Sequence, residues 1–204
     1  QNTRIKMAIP ITEIMTGSTQ NIINTYERAT VDQRIGGENW YWMARHLAES
    51  LADQHNLPVT NVAYAIAALS PVTDWITNQI AASEVCATGF TRFQSGANID
   101  KANRCLAGEL TKLRGPKVER FALAIVNPLG DTTACIDRHA FSIWMGSKQT
   151  DIQQKVLARK GAYELVADAY AEAARILDVP VHTVQATTWI VWRDEHDVPR
   201  KIGK

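Results

Sequence analysis

The chain has 204 residues, 46% of them hydrophobic and 21% charged, with a formal net charge of +1. That length suits one domain with a substantial core, and the balance is that of an ordinary soluble globular protein. A charge near zero excludes a histone-like global basic field, so any nucleic-acid surface must be a local patch. Cys86, Cys105 and Cys135 lie far apart with no CxxC pairing, which argues against a zinc or iron–sulfur site built from cysteines. Unpaired cysteines in apolar runs point to a reducing, cytoplasmic compartment. No apolar run reaches membrane-spanning length and none reads as a signal peptide, so no membrane is expected as a partner.

In chain order the pattern is helical almost throughout. Ile11 to Tyr26 reads as an amphipathic helix, Arg34 to Asn39, with its Gly36–Gly37 pair, as a loop, and Trp40 to His55 as a helix with apolar Trp40, Met43, Ala44, Leu47 and Leu51 at helical spacing. Asn56 ends it before Pro58. Thr60 is expected to cap Asn61 to Leu69, so apolar that it should be buried on every side. Ser70 and Pro71 break that helix, and Thr73 or Asp74 caps the next, Trp75 to Thr88. Gly89 to Gly96 connects to a short helix over Asp100 to Ala107, and Thr111 to Leu113 to a shorter one. Pro116 opens Lys117 to Val126 in the position proline favours. After a loop over Asn127 to Thr133, helices are expected over Asp137 to Met145, over the alanine-rich Tyr163 to Leu177 with Tyr163 and Tyr170 as core, and over Thr183 to Trp192. Gly146 to Asp151 reads as loop. Trp189 and Trp192 are expected to pack onto the other half of the molecule. Without a convincing strand pair, the class is all-α.

Two charged stretches stand out. Lys101, Arg104, Lys112, Arg114, Lys117 and Arg120 outnumber Glu109 and Glu119, and Lys148, Lys155, Arg159 and Lys160 outnumber Asp151. They read either as phosphate-facing patches or as solvated helix faces. Around Gly115 and Pro116, basic residues flank a turn that opens an apolar helix. Asp137 then opens the next helix from within an apolar run. Backbone N–H groups and positive charge thus come near one carboxylate, as chemistry on a nucleic-acid base requires.

Two segments together resemble the helix-hairpin-helix DNA glycosylases, the superfamily of endonuclease III and the adenine glycosylases. The first runs from Ala67 through Leu69, Ser70, Thr73 and Asp74 to Asn78. The second joins the hairpin at Leu113 to Ala122 with the apolar-Asp-x-His run of Ile136, Asp137 and His139. The chain also resembles a group of phage proteins in its Asn39, Trp40, Tyr41 element and its Gln185 to Trp192 end. Glycosylase-like folds in turn resemble the proposed transferases of phage thymine hypermodification.

The resemblance implies a single bilobed domain over 1–204, a helix-hairpin-helix DNA glycosylase-like fold. A central lobe over 58–135, with the hairpin at 111–126, would face a second lobe from 1–57 and 136–204. It implies Asp137 as the catalytic carboxylate, where the residue type alone also reads as a plain helix cap. Arg114, Gly115, Lys117 and Arg120 would contact DNA phosphate, and Thr73, Asp74, Trp75, Asn78 and His139 would wall the base pocket. Trp75 is open to a second reading as a core tryptophan, and Asn78 to one as a structural hydrogen-bonder. His139 would fix the Asp137 loop rather than share a metal, because i and i+2 face apart on a helix. The hairpin departs from the family pattern: its second glycine is absent with Lys117 near that place, and the position nearest the family's hairpin lysine is Glu119.

The expected activity is that of a DNA base-processing enzyme. It would bind double-stranded DNA, flip a nucleotide and act on it as an N-glycosylase, with water as second substrate and neither cofactor nor metal. The alternative is a transferase joining an amino acid or amine to a pyrophosphorylated 5-hydroxymethyl pyrimidine. A non-catalytic DNA-binding module is a further alternative. The expected location is the cytoplasm, that of the host if the chain is phage-encoded.

Overall fold

The computed structural model describes residues 15–110, 115–130 and 134–196. Among these residues are ten α-helices and no strand, so the chain is all-α. In order they are α1 (Thr19–Glu27), α2 (Val31–His55), α3 (Val59–Ala68), α4 (Trp75–Thr88), α5 (Gly96–Leu106), α6 (Pro116–Val126), α7 (Arg138–Met145), α8 (Asp151–Gln154), α9 (Ala162–Leu177) and α10 (Val181–Glu195). A 3₁₀ turn, Lys155–Ala158, follows α8. Arg114, Lys112 and the short helix expected over Thr111 to Leu113 lie outside the described residues.

Local chemistry explains most boundaries. Thr30 and Gln33 form a reciprocal capping box at the start of α2, and Asn56 ends it in the left-handed conformation. The Asp74 side chain accepts from the Thr77 N–H and starts α4. Pro116 occupies the first turn of α6 after Gly115, whose φ of 101° suits glycine. The Asp137 side chain accepts from the N–H groups of His139 and Ala140 and starts α7.

Several expectations are corrected. Arg34 to Asn39 is not a loop but the first half of α2. The glycine pair signals a break locally, yet both residues serve a helix crossing. A Cβ on Gly37 would lie 1.9 Å from Thr187 Oγ1 and 2.8 Å from its Cα, and one on Gly36 would lie 3.2 Å from Ile190 Cδ1. α2 can approach α10 this closely only with glycine there, and the tertiary contact overrides helix propensity. Met15 to Ser18 are not helical, and α1 begins at Thr19 under the Ser18 cap. Thr60 caps nothing, because α3 already starts at Val59 behind Pro58. α5 starts at Gly96, where the Ser95 hydroxyl accepts from the Asn98 N–H, and Asp151 belongs to a helix capped by Thr150. Met43 is exposed.

Two apolar clusters form the interior. One surrounds α3, whose Val62, Ala63, Ala65, Ile66, Ala67 and Leu69 are all buried, with α2, α4, α5 and α6 packed about it. The other gathers Ile22 and Tyr26 of α1, Phe141 and Trp144 of α7, Val166 and Tyr170 of α9 and Val184 and Trp192 of α10. Tyr163 also belongs to it, and its hydroxyl donates to Ala134 O and accepts from Ile136 N, fixing the segment that leads to Asp137. α10 serves both clusters, since Ala186 packs with the first. Its pairing with α2 is the most extensive interhelical contact.

Substituting Gly37→Ala should destabilise the fold by about 1–3 kcal/mol, the usual cost of overpacking. Urea denaturation of both proteins measures it. The same change at Gly96, where a Cβ meets nothing within 4 Å, is the control and should be near neutral.

Candidate functional site

A cleft of about 100 Å³ opens where α2, α4, α6 and α10 meet the Asp137 turn. Its walls are aromatic. The Trp40 ring centroid lies 5.0 Å from that of Trp75, 5.8 Å from Phe121 and 6.0 Å from Trp189. Each such pair contributes about 0.5–1.5 kcal/mol beyond its buried area, so the walls are mutually braced.

Asp137 joins two roles. Its Oδ1 accepts from the His139 and Ala140 N–H groups at 2.9 and 2.8 Å. Its Oδ2 accepts from Trp189 Nε1 at 3.2 Å. The cap reading is therefore correct for one oxygen, while the second oxygen belongs to the cleft wall. Lys117 lines the same cleft, and no carboxylate lies within 4 Å of its ammonium among the described residues. Glu119 is exposed and outside the lining.

The other expected wall residues separate by role. Thr73, Asp74, Trp75 and Asn78 all line the cleft. Both Asp74 oxygens are occupied, Oδ1 by the Thr77 N–H and Oδ2 by the Thr77 hydroxyl. Burial pushes this carboxyl up, but the Thr77 hydrogen bonds outweigh it and leave the group below its ordinary value. Asn78 is 2% exposed and its Nδ2 donates to Ile66 O at 3.2 Å, a structural bond. Trp75 is half-buried with its ring in the cleft wall, so it is neither a plain core residue nor a free surface one. His139, also expected in the wall, does not line the cleft; its ring lies edge-on to Trp189 at 6.4 Å. Gly115 is exposed and Arg120 half-buried, and neither lines the cleft. Arg104 of the expected basic patch is held by Asp100 and Glu109.

Sequence reasoning overlooked Trp40, Tyr41, Phe121, Cys135, Gln185 and Trp189 as lining residues. The available signal was spacing. Gln185 and Trp189 are four apart on one helix and so share a face, and a glutamine inside a buried helix asks for a partner. That partner is Tyr41, whose hydroxyl donates to Gln185 Oε1 at 2.8 Å. Burial, with Cys135 and Asp137 nearby, holds the Tyr41 hydroxyl well above its ordinary value, so it keeps its proton. Burial likewise pushes the Cys135 thiol up to about 12, which removes it as a nucleophile at neutral pH. Among the described residues no three His, Cys, Asp or Glu side chains are placed to hold a metal ion, and no helix is long and apolar enough to cross a membrane.

The model of DUF7178, described as a family of unknown function, matches residues 7–196. The chain belongs to this family. No curated protein and no solved structure matches it. The match spans every element around the cleft, from α2 to α10.

Burial lowers both His139 and His182 from the ordinary value of 6.5. Above 6.5 neither the folded nor the unfolded chain carries these protons. Below it the unfolded chain takes them up first, so folding stability falls as pH drops, until the lowered folded-state values are reached. Urea midpoints across this range should show that loss, and His139→Gln together with His182→Gln should flatten it.

Proposed function

We propose that this member of DUF7178 is a DNA base-processing enzyme that takes an extruded nucleotide into the aromatic cleft and acts on it with Asp137, in the manner of an N-glycosylase. The observation that carries the reading is the Asp137 carboxylate, whose Oδ2 meets the Trp189 N–H, in a cleft walled by Trp40, Trp75, Phe121 and Trp189 with Lys117 alongside. Aromatic walls suit the faces of an unstacked base. When the glycosidic bond breaks, its electron pair leaves with the base and positive charge grows on the sugar. A fixed carboxylate stabilises that charge and receives the proton of the water that adds to the sugar carbon. The helix-hairpin-helix glycosylase-like, bilobed arrangement belongs to the same proposal, with the turn before α6 facing duplex DNA.

Val72 supports it from the rim. This β-branched residue has φ of 59° and is fully exposed, in the turn between α3 and α4 whose Ser70 and Thr73 line the cleft. A side chain held out in a strained conformation suits an apolar wedge that fills the gap left by a flipped base.

The transferase reading rests on one observation of its own, Lys117 lining the cleft with no carboxylate within 4 Å of its ammonium among the described residues. A leaving pyrophosphate would find its counter-charge there.

The test uses wild type and Asp137→Asn with duplex DNA carrying uracil, damaged bases or 5-hydroxymethyl pyrimidines, with mass spectrometry of released bases and remaining nucleosides. Asparagine caps helices about as well as aspartate, so the variant should fold and bind DNA while base release is lost. Release by both proteins would reject Asp137. Binding by both without release would leave a binding module, unless pyrophosphorylated DNA and an amine give a wild-type-only adduct, which would select the transferase. Lys117→Ala should weaken DNA binding and lower its dependence on salt by about one ion; an unchanged slope would remove Lys117 from phosphate contact.

A further inference from the structure

Gln185 offers the cleft a hydrogen-bond donor that has no acceptor among the described residues. Gln185 is 6% exposed and lines the cleft. Its Oε1 is occupied by the Tyr41 hydroxyl. Among the described residues its Nε2 has no hydrogen-bond partner, and it is not among the unpartnered side-chain atoms closed off from solvent, which are His55 Nε2, Asn78 Oδ1, Gln149 Oε1 and Thr187 Oγ1. The side chain is therefore enclosed, on a residue that lines the cleft, while its amide nitrogen stays open to solvent.

Its orientation is set from behind. The Tyr41 hydroxyl keeps its proton and gives it to Oε1, which turns the amide nitrogen the other way. Tyr41 is itself fixed. It lies one turn beyond Gly37, the point where α2 meets Thr187 of α10, and its ring packs edge-on to Trp40 at 5.0 Å, Phe121 at 6.3 Å and His182 at 5.8 Å. One turn further along α10, Trp189 gives its N–H to Asp137. The same helix face thus presents two donors, one committed to the carboxylate and one uncommitted.

We propose that Gln185 is a specificity-determining residue that donates to a ring carbonyl oxygen of the base in the cleft, with Tyr41 as its positioning residue. The inference rests on the reading of the cleft as a base pocket and narrows the substrate class to keto bases. Burying a donor without a partner costs more than a hydrogen bond to it returns in water, so the site discriminates against a ring with no oxygen at that edge.

The test is titration of the intact protein by quenching of its tryptophan fluorescence, because Trp40, Trp75 and Trp189 line the cleft. The probes are 1-methyluracil and 9-methylhypoxanthine, a keto base of each ring size, against 9-methyladenine. Wild type should bind at least one keto probe about tenfold more tightly than 9-methyladenine, the order expected for one hydrogen bond. Gln185→Met and Gln185→Glu should remove that preference, and Tyr41→Phe should reduce it. Gln185→Glu also shows whether the variant is folded. Its introduced carboxylate repels a keto oxygen at about pH 8, and its protonated form donates again as pH falls toward about 5, so binding of the keto probe should return on acidification. Keto binding that is equal in wild type and both Gln185 variants overturns the role of Gln185 and leaves the base pocket standing. Quenching by none of the probes overturns the inference and the base-pocket reading together. A preference for 9-methyladenine in wild type overturns the keto assignment alone.

Discussion

The close crossing of α2 and α10 at Gly37 and Thr187 is the constraint on which the site depends. Without a Cβ at Gly37 the two backbones meet at a distance no other residue permits. Helix geometry then propagates the contact. Tyr41 stands one turn along α2 from Gly37, and Gln185 and Trp189 flank Thr187 on α10, so the crossing brings Trp40 and Tyr41 against Gln185 and Trp189. Glycine in a helix interior costs about 0.5–1 kcal/mol relative to alanine. Here that cost is offset by the packing it permits between the longest helix and the last one.

Asp137 depends on the same crossing. A capping carboxylate and a reactive one are usually taken as alternatives, because a cap uses the side chain internally. In this protein the two oxygens have different partners. The cap secures Oδ1 and so fixes the direction of Oδ2, while Trp189 bounds it from the α10 side. An asparagine preserves the first arrangement and alters the second, which makes Asp137→Asn a chemical rather than a structural change.

Much of this was legible in the sequence, and where it was not there are particular reasons. Asp74, Pro116 and Asp137 declare their helix starts through short-range hydrogen bonding and fixed φ, which a linear reading captures. Of the five residues expected in the base wall by resemblance, Thr73, Asp74, Trp75 and Asn78 line the cleft and His139 does not. The glycine pair misled because its function lies 150 residues away in the chain. The tyrosine–glutamine pair was invisible for the same reason, since Tyr41 and Gln185 meet only after folding. A count of charges does not show which carboxylate holds which cation: Asp100 and Glu109 both reach Arg104.

The rim turn before α4 shows how such a site keeps its shape. A left-handed, β-branched Val72 carries strain on the order of 1–3 kcal/mol. It persists because the turn is clamped on both flanks. Gln94 Nε2 donates to Leu69 O at 2.8 Å and to Pro71 O at 2.7 Å, and the Asp74–Thr77 cap holds the far side. Asn98 in turn donates to Gln94 Oε1 at 2.9 Å, so the clamp is anchored in α5. The turn is tied at each end, so that Val72 projects from the rim while Ser70 and Thr73 stay in the wall. Position and strain together tie the exposed side chain to the cleft beside it, not to the core beneath.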